Sequence, residues 1–100
     1  MNQLPIVIVH HAELSRFAAT VGERLAGVVH YVSEPGRMNI VHTEVADDFE
    51  GRGIGGELAR AALDGARSEG LKVKASCPFV AEYIRDHPHY ADLLDQTDGA

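Results

Sequence analysis

A single cysteine, Cys77, is spread over 100 residues. It excludes an internal disulfide framework and a cysteine-rich zinc site. Such sparing use fits a reducing compartment, so a cytoplasmic location is expected. Long apolar runs are missing as well. No stretch approaches the ~18 residues that span a bilayer, and no cationic segment precedes an apolar run at the N-terminus. A soluble chain with no membrane partner is the expectation. Basic residues are in the minority: nine Lys and Arg against fifteen Asp and Glu give a net charge of −6. Broad binding to nucleic acid or anionic lipid needs basic surface, so neither partner is expected. Metal is not expected either. His10-His11 would point different ways on a strand, which leaves an exposed polar pair rather than a chelate.

What the chain does have is an ordinary core and one unusual loop. A hydrophobic fraction of 45% over 100 residues suits a single globular domain, residues 1–100. Phe49-Glu50-Gly51-Arg52-Gly53-Ile54-Gly55-Gly56-Glu57-Leu58 packs four glycines and one arginine ahead of the best helix in the sequence. Glycines let backbone N–H groups approach a ligand closely. A following helix adds unpaired N–H groups and the positive end of its dipole. The combination is an anion site, most naturally for phosphate. A P-loop is excluded, because Glu57-Leu58 follows Gly56 where Lys and Ser/Thr are needed. Gly51, Gly53 and Gly56 match the dinucleotide fingerprint literally, but Asp47-Asp48-Phe49-Glu50 reads as a loop, not a strand, and Leu71–Cys77 supplies no ribose-binding acid. A glycine-rich turn that merely starts a helix remains the plain alternative.

Taken in order, Pro5–Val9 is β-branched and reads as an edge strand or an ordered lead-in. Leu14–Val21 is the next strand, with Phe17 and Ala19 facing a core, and Gly22-Glu23 a hairpin turn. Leu25–Val32 is nearly all apolar, which predicts a central strand covered on both faces. Ser33-Glu34-Pro35-Gly36 turns the chain into Met38–Val45. Tight turns make these three strands an antiparallel meander. A helix follows from about Ile54 to Glu69, with Ile54, Leu58, Ala61, Ala62 and Ala66 toward the sheet and Gly70 just past its end. Leu71–Ser76 then alternates as a strand, and the crossover makes it parallel to Met38–Val45. Pro78 opens a short amphipathic helix carrying Phe79, Val80, Tyr83 and Ile84, which His87-Pro88 ends. His89–Leu94 forms a further turn, and Asp95–Ala100 is a polar, frayed end. The fold class is α+β, a mixed sheet with helices.

Strict alternation along Met38–Val45 puts Met38, Ile40, His42 and Glu44 on one face. His42 and Glu44 then sit together near the strand's C-terminal end, where open sheets bind ligands. They read as a proton-relay pair, as a solvated polar face, or as a buried histidine satisfied by the glutamate.

The order of meander, glycine loop, helix, parallel strand and helix resembles the GNAT acetyltransferase superfamily, in its minimal single-domain branch. The residues that carry the resemblance are His42-Thr43-Glu44-Val45, Gly51-Arg52-Gly53-Ile54-Gly55, Glu69-Gly70-Leu71-Lys72-Val73, Cys77-Pro78-Phe79-Val80, Tyr83-Ile84 and His87-Pro88-His89-Tyr90-Ala91-Asp92-Leu93-Leu94. They span about residues 14–94. Glu50-Gly51-Arg52-Gly53-Ile54-Gly55 matches the family's Arg/Gln-x-x-Gly-x-Gly/Ala loop at both glycines, with Glu50 departing from the usual basic or amide residue.

The resemblance implies acetyl-CoA as cosubstrate and an N-acetyltransferase that moves acetyl to an amine acceptor, a small molecule or a protein. It implies a pyrophosphate on the amides of Arg52, Gly53, Ile54, Gly55 and Gly56, a pantetheine arm between the two parallel strands, and an acetyl carbonyl near Glu44 and Val45. The extra N-terminal helices of full-size relatives have no counterpart here, so the acceptor side is expected to be open. Cys77, beside Pro78 at a helix start, is a nucleophile candidate by the same resemblance, next to its plain reading as a small buried hydrophobe. A CoA-binding or regulatory module without turnover is the alternative, favoured by Glu50 and the open acceptor side.

Overall fold

A computed structural model describes residues 4–95. Five strands form one sheet in sequence order: β1 (Ile6–His11), β2 (Arg16–Val21), β3 (Arg24–Glu34), β4 (Arg37–Val45) and β5 (Lys72–Ala75). The first four pair antiparallel, and β5 pairs parallel with β4. The crossover between them is α1 (Ile54–Ser68), and α2 (Pro78–Asp86) follows β5. A 3-10 segment, Pro88–Leu93, follows, and the chain then returns to the sheet in a parallel bridge from Leu94 to Val73. The polar end expected over Asp95–Ala100 lies, after Asp95, outside the described residues. Among the described residues no helix is long and apolar enough to cross a membrane.

The lead-in is a true edge strand, paired with β2 along its whole length. The second strand starts later than expected, because Ala12–Leu14 makes a 3-10 turn and Ser15 takes a left-handed φ of 52°.

The core lies on one side of the sheet. Ile54, Leu58, Ala62, Leu63 and Ala66 of α1 pack on Phe17, Ala19, Val29 and Ile40. Helix α2 joins the same layer, with Val80 and Ile84 buried. Tyr90 ties the last segment to α1 through a 2.6 Å hydrogen bond to Asp64. Burial pushes the Tyr90 hydroxyl up to about 12, with the Asp64 carboxylate adding to the effect. Arg67 clamps the same segment by donating to both oxygens of Asp92 at 2.9 Å.

The opposite face carries no helix of the described chain, which corrects the expectation of a strand covered on both sides. Leu25 and Val32 of β3 are 53% and 48% exposed. The apolar run arises because β3 is central within the sheet, not because two layers enclose it. Gly27 has a separate purpose. A Cβ there would stand 2.8 Å from the Glu44 carbonyl oxygen and 3.0 Å from Ile54 Cγ2. The glycine lets α1 settle on β3 where β4 passes.

Candidate active site

Strands β4 and β5 run together for four residue pairs, Arg37–Lys72 to Ile40–Ala75, and then part. A last link joins the Cys77 N–H to the Ile40 carbonyl at 2.9 Å. Beyond it β4 continues to Val45, while the other chain turns into α2. A bulge falls at the same place: the β3 register jumps from His30–His42 to Tyr31–Ile40, leaving Val41 unpaired. The extra residue reverses the alternation. Met38 and Ile40 are buried against the helices, whereas His42 and Glu44 emerge on the open face. This corrects the single face expected for all four.

His42 and Glu44 are together, as the spacing predicts. His42 donates from Nε2 to Glu44 Oε2 at 2.9 Å, and both side chains are more than half exposed. Thr43, between them, points to the helix side. Its Oγ1 lies 3.4 Å from Cys77 Sγ across the opening. Cys77 is only 4% exposed and belongs to the core cluster, at the N-cap of α2. The expected catalytic residues thus form two groups on opposite faces: His42–Glu44 on the open side, Cys77 with Thr43 beneath.

The opening leads to the head of α1. Gly53 is the N-cap, with φ of 81°, and no side chain caps the helix. The first helical bond is Glu57 N–H to the Gly53 carbonyl. Ile54, Gly55 and Gly56 therefore offer backbone N–H groups at the positive end of the dipole. Ile54 contributes only backbone, because its side chain is buried in the core. A cleft of about 340 Å³ lies here, lined by Val45, Glu50, Gly51, Gly53, Gly55, Gly56 and Phe79 among others. Arg52 lays its guanidinium 5.2 Å from the centre of the buried Phe49 ring, and Arg24 approaches the same ring at 5.0 Å. Cation–π contact holds Arg52 at the loop.

Phe79 departs from expectation. It stands 44% exposed instead of joining Val80 and Ile84 in the core. Its ring lies over Gly55, so close that a Cβ there would meet Cζ at 2.8 Å. A second cavity of about 430 Å³ adjoins the first, sharing Gly53 and Gly56 and bounded by Arg60, Tyr83, His87 and His89. Tyr83 and His87 stack at 3.9 Å, and His87 donates from Nδ1 to the Tyr83 carbonyl at 2.8 Å. Arg60 pairs with Glu57 at 3.1 Å on its rim. The motif reading missed this aromatic wall, although His87-Pro88-His89 was visible as a helix stop. No group of described residues is arranged to hold a metal ion.

Residues 16–93 match the model of the GCN5-related N-acetyl-transferase family. The chain belongs to that family. Protein NATD1 of Mus musculus is 32% identical over 87 residues, covering 84% of this chain and 78% of its own. Protein NATD1 of Homo sapiens is equally similar, with 76% of its own length covered. Among solved structures, a GCN5-like putative N-acetyltransferase from Staphylococcus aureus superposes with a TM-score of 0.66 at 27% identity, over 99% of this chain and 98% of that one. A Bacillus subtilis acetyltransferase in complex with CoA shares the fold, with a TM-score of 0.55 at 18% identity over 91% and 75% of the two chains. The mixed five-stranded sheet is thus the GCN5-related fold, and the family supports acetyl transfer with CoA in general terms.

Proposed function

We propose that this protein is an N-acetyltransferase that takes acetyl from acetyl-CoA and delivers it to an amine arriving over the open face of the sheet. The observation that carries this reading is the parting of β4 and β5 beyond Ile40, which joins the uncapped head of α1 to the face bearing Glu44. The amides of Ile54, Gly55 and Gly56 suit the pyrophosphate, with Arg52 adjacent. Tyr83 and His87 offer a stacking wall for the base, and Arg60 a cation for a further phosphate. Glu50 is the one carboxylate on the loop cleft and opposes the binding of a polyanion.

Glu44 draws in the cationic amine and then takes one proton from it, with His42 holding the carboxylate through the Nε2 hydrogen bond. The neutral nitrogen bonds to the acetyl carbon, the carbon–sulfur bond breaks, and the second proton that the nitrogen then loses ends on the departing thiolate. Backbone N–H groups near Glu44 and Val45, at the end of β4, would receive the carbonyl oxygen. Cys77 is the candidate for a covalent intermediate on the helix side, and its burial favours direct transfer instead.

Calorimetry with acetyl-CoA and time-resolved thiol release with a panel of amines test the reading together. Binding with acceptor-dependent release supports it. Binding without release to any acceptor favours a CoA-binding module, which the placement of Glu50 and the helix-free face both suit. Absence of binding removes both.

A further inference from the structure

Four residues stand in one row across the open face. The register pairs His11 with Arg16, Arg16 with His30, and His30 with His42, one residue from each of β1 to β4. The rings of His30 and His42 lie nearly parallel, 6.2 Å apart. No carboxylate interrupts the row, in a chain whose acids outnumber its bases fifteen to nine. Among the described residues Arg16 has no acidic partner, and Arg16 Nε and His11 Nδ1 are shielded from solvent without a hydrogen bond. Arg16 is the one fixed cation of the row, it stands between imidazoles and not carboxylates, and unpaired buried donors are costly. Nothing within the described chain offsets that cost. The one carboxylate at the end of the row is Glu44, two residues beyond His42 on the same face.

Read from β4 to β1, the face therefore presents one negative group and then a line of imidazole donors with one guanidinium among them. The complement is a ligand with a positive amine first and negative groups after it. Spacing decides how long that ligand is. Strands lie ~4.8 Å apart, so Arg16 is about 10 Å across the sheet from the Glu44 strand. The amine and carboxylate of a free amino acid are within about 3.5 Å of each other, whereas an extended chain covers ~3.3 Å per residue. Roughly three residues must separate the amine from the group over Arg16.

We propose that the acetyl acceptor is the terminal amine of an extended acidic peptide. It crosses the open face with its amine at Glu44 and its carboxylates over His42, His30 and Arg16. This rests on the acetyl-transfer reading and names its substrate class. The peptide ammonium gives one proton to Glu44, its nitrogen gains the acetyl carbon as the carbon–sulfur bond breaks, and its second proton goes to the departing thiolate. The row serves to position the acceptor and does not touch the thioester.

The test is fluorescence anisotropy on hexapeptides that carry a dye at the C-terminus and a free amine at the other end. Three peptides share their first residue and differ at positions three to five: Asp/Glu, the isosteric Asn/Gln, or Lys. The acidic peptide should bind wild type roughly tenfold more tightly than its amide twin, as one or two charge-assisted bonds allow. At about 1 M salt, where screening reaches ~3 Å, most of that difference should vanish. Arg16→Gln should bring the two peptides within about twofold, while Arg16→Lys keeps a partial preference. His30→Gln supplies the same comparison if Arg16→Gln does not fold. Equal binding of all three peptides by wild type overturns the proposal. So does tighter binding of the lysine peptide, or an acidic preference that survives both Arg16→Gln and His30→Gln. Binding is read without turnover, so an acidic preference with no acetyl transfer would remove only the enzymatic reading. Equal acetylation of acidic and basic peptides would remove only this one.

Discussion

Thr43 Oγ1 stands 3.4 Å from Cys77 Sγ, and the pair bridges the point at which β4 and β5 separate. The contact closes the floor of the opening on the helix side. It also gives the only cysteine a polar neighbour in an otherwise apolar setting. Cys77→Ser keeps an atom that can hydrogen-bond to Thr43, so stability should stay within about 1 kcal/mol of wild type in urea unfolding. Intact-protein mass spectrometry after incubation with acetyl-CoA, without acceptor, decides the chemistry. Direct transfer predicts no acetyl adduct and retained turnover in Cys77→Ala. A stable adduct that this variant abolishes, with loss of turnover, would establish the covalent route.

Two glycines should answer the same substitution differently. Gly27→Ala drives a Cβ against the Glu44 backbone, which sits inside the sheet and gives little. A loss of about 1–3 kcal/mol is expected in urea unfolding. Gly55→Ala meets the tip of the Phe79 ring, which is half exposed and free to swing. Its stability cost should be smaller, and the damage should fall on CoA affinity measured by calorimetry. Adding Phe79→Ala to Gly55→Ala should recover stability. If it restored CoA affinity in full, the backbone of Gly55 would not be part of the phosphate site.

Arg52→Ala should weaken acetyl-CoA binding roughly tenfold at low salt, the scale of one charge-assisted contact. At about 1 M salt the wild-type advantage should shrink, because solvent ions already screen that charge. Arg52→Lys keeps the charge but loses the planar contact with Phe49, and should fall between. An advantage that ignores salt would mean Arg52 acts through the loop's shape alone.

Glu44→Gln should lower kcat at neutral pH and move the acidic limb of the pH–rate profile, while leaving acetyl-CoA affinity intact. His42→Ala should show a weaker form of the same change, since its contact with the amine passes through Glu44. Profiles identical to wild type in both variants would take this pair out of the proton path.

Tyr90 gives the fold an alkaline limit. Its hydroxyl has an ordinary pKa of 10.0 and is raised to about 12 in the folded chain. The folded state therefore holds a proton that the unfolded chain releases. The stabilisation is complete below pH 10, and it is lost as the pH rises to about 12. Tyr90→Phe cannot ionise, so it should flatten the decline of Tm over that range. It should also lower Tm at pH 8, where the Asp64 hydrogen bond is missing.

The elements themselves were legible because each carries a local signal. Ser33-Glu34-Pro35-Gly36, Pro78 and His87-Pro88 set their boundaries within a residue or two. The pairing of His42 with Glu44 was legible too, since they are two apart and stay on one face on either side of a bulge. Which face was not. The bulge at Val41 depends on where β3 and β5 pair with β4, and nothing in Val41 itself announces it. Phe79 was hidden for a similar reason: helical periodicity marks it as core, and only the missing side chain of Gly55 lets the ring lie at the cleft. The row from His11 to His42 is assembled by register across four strands, so no window of the sequence contains it.

Strand β5 is held by four pairs to β4 on one side and by the Leu94 bridge, with the Asp95 N–H on the Val73 carbonyl, on the other. So short a strand has little free energy to lose on opening. Its amides should exchange with deuterium sooner than those of β2 and β3, which are paired on both sides. A molecule lodged between β4 and α2 would act as a staple on that weak margin. The width of the opening and the local stability of β5 are then one quantity, and slower exchange at Val73, Lys74 and Ala75 becomes a report of occupancy that needs no acceptor and no turnover.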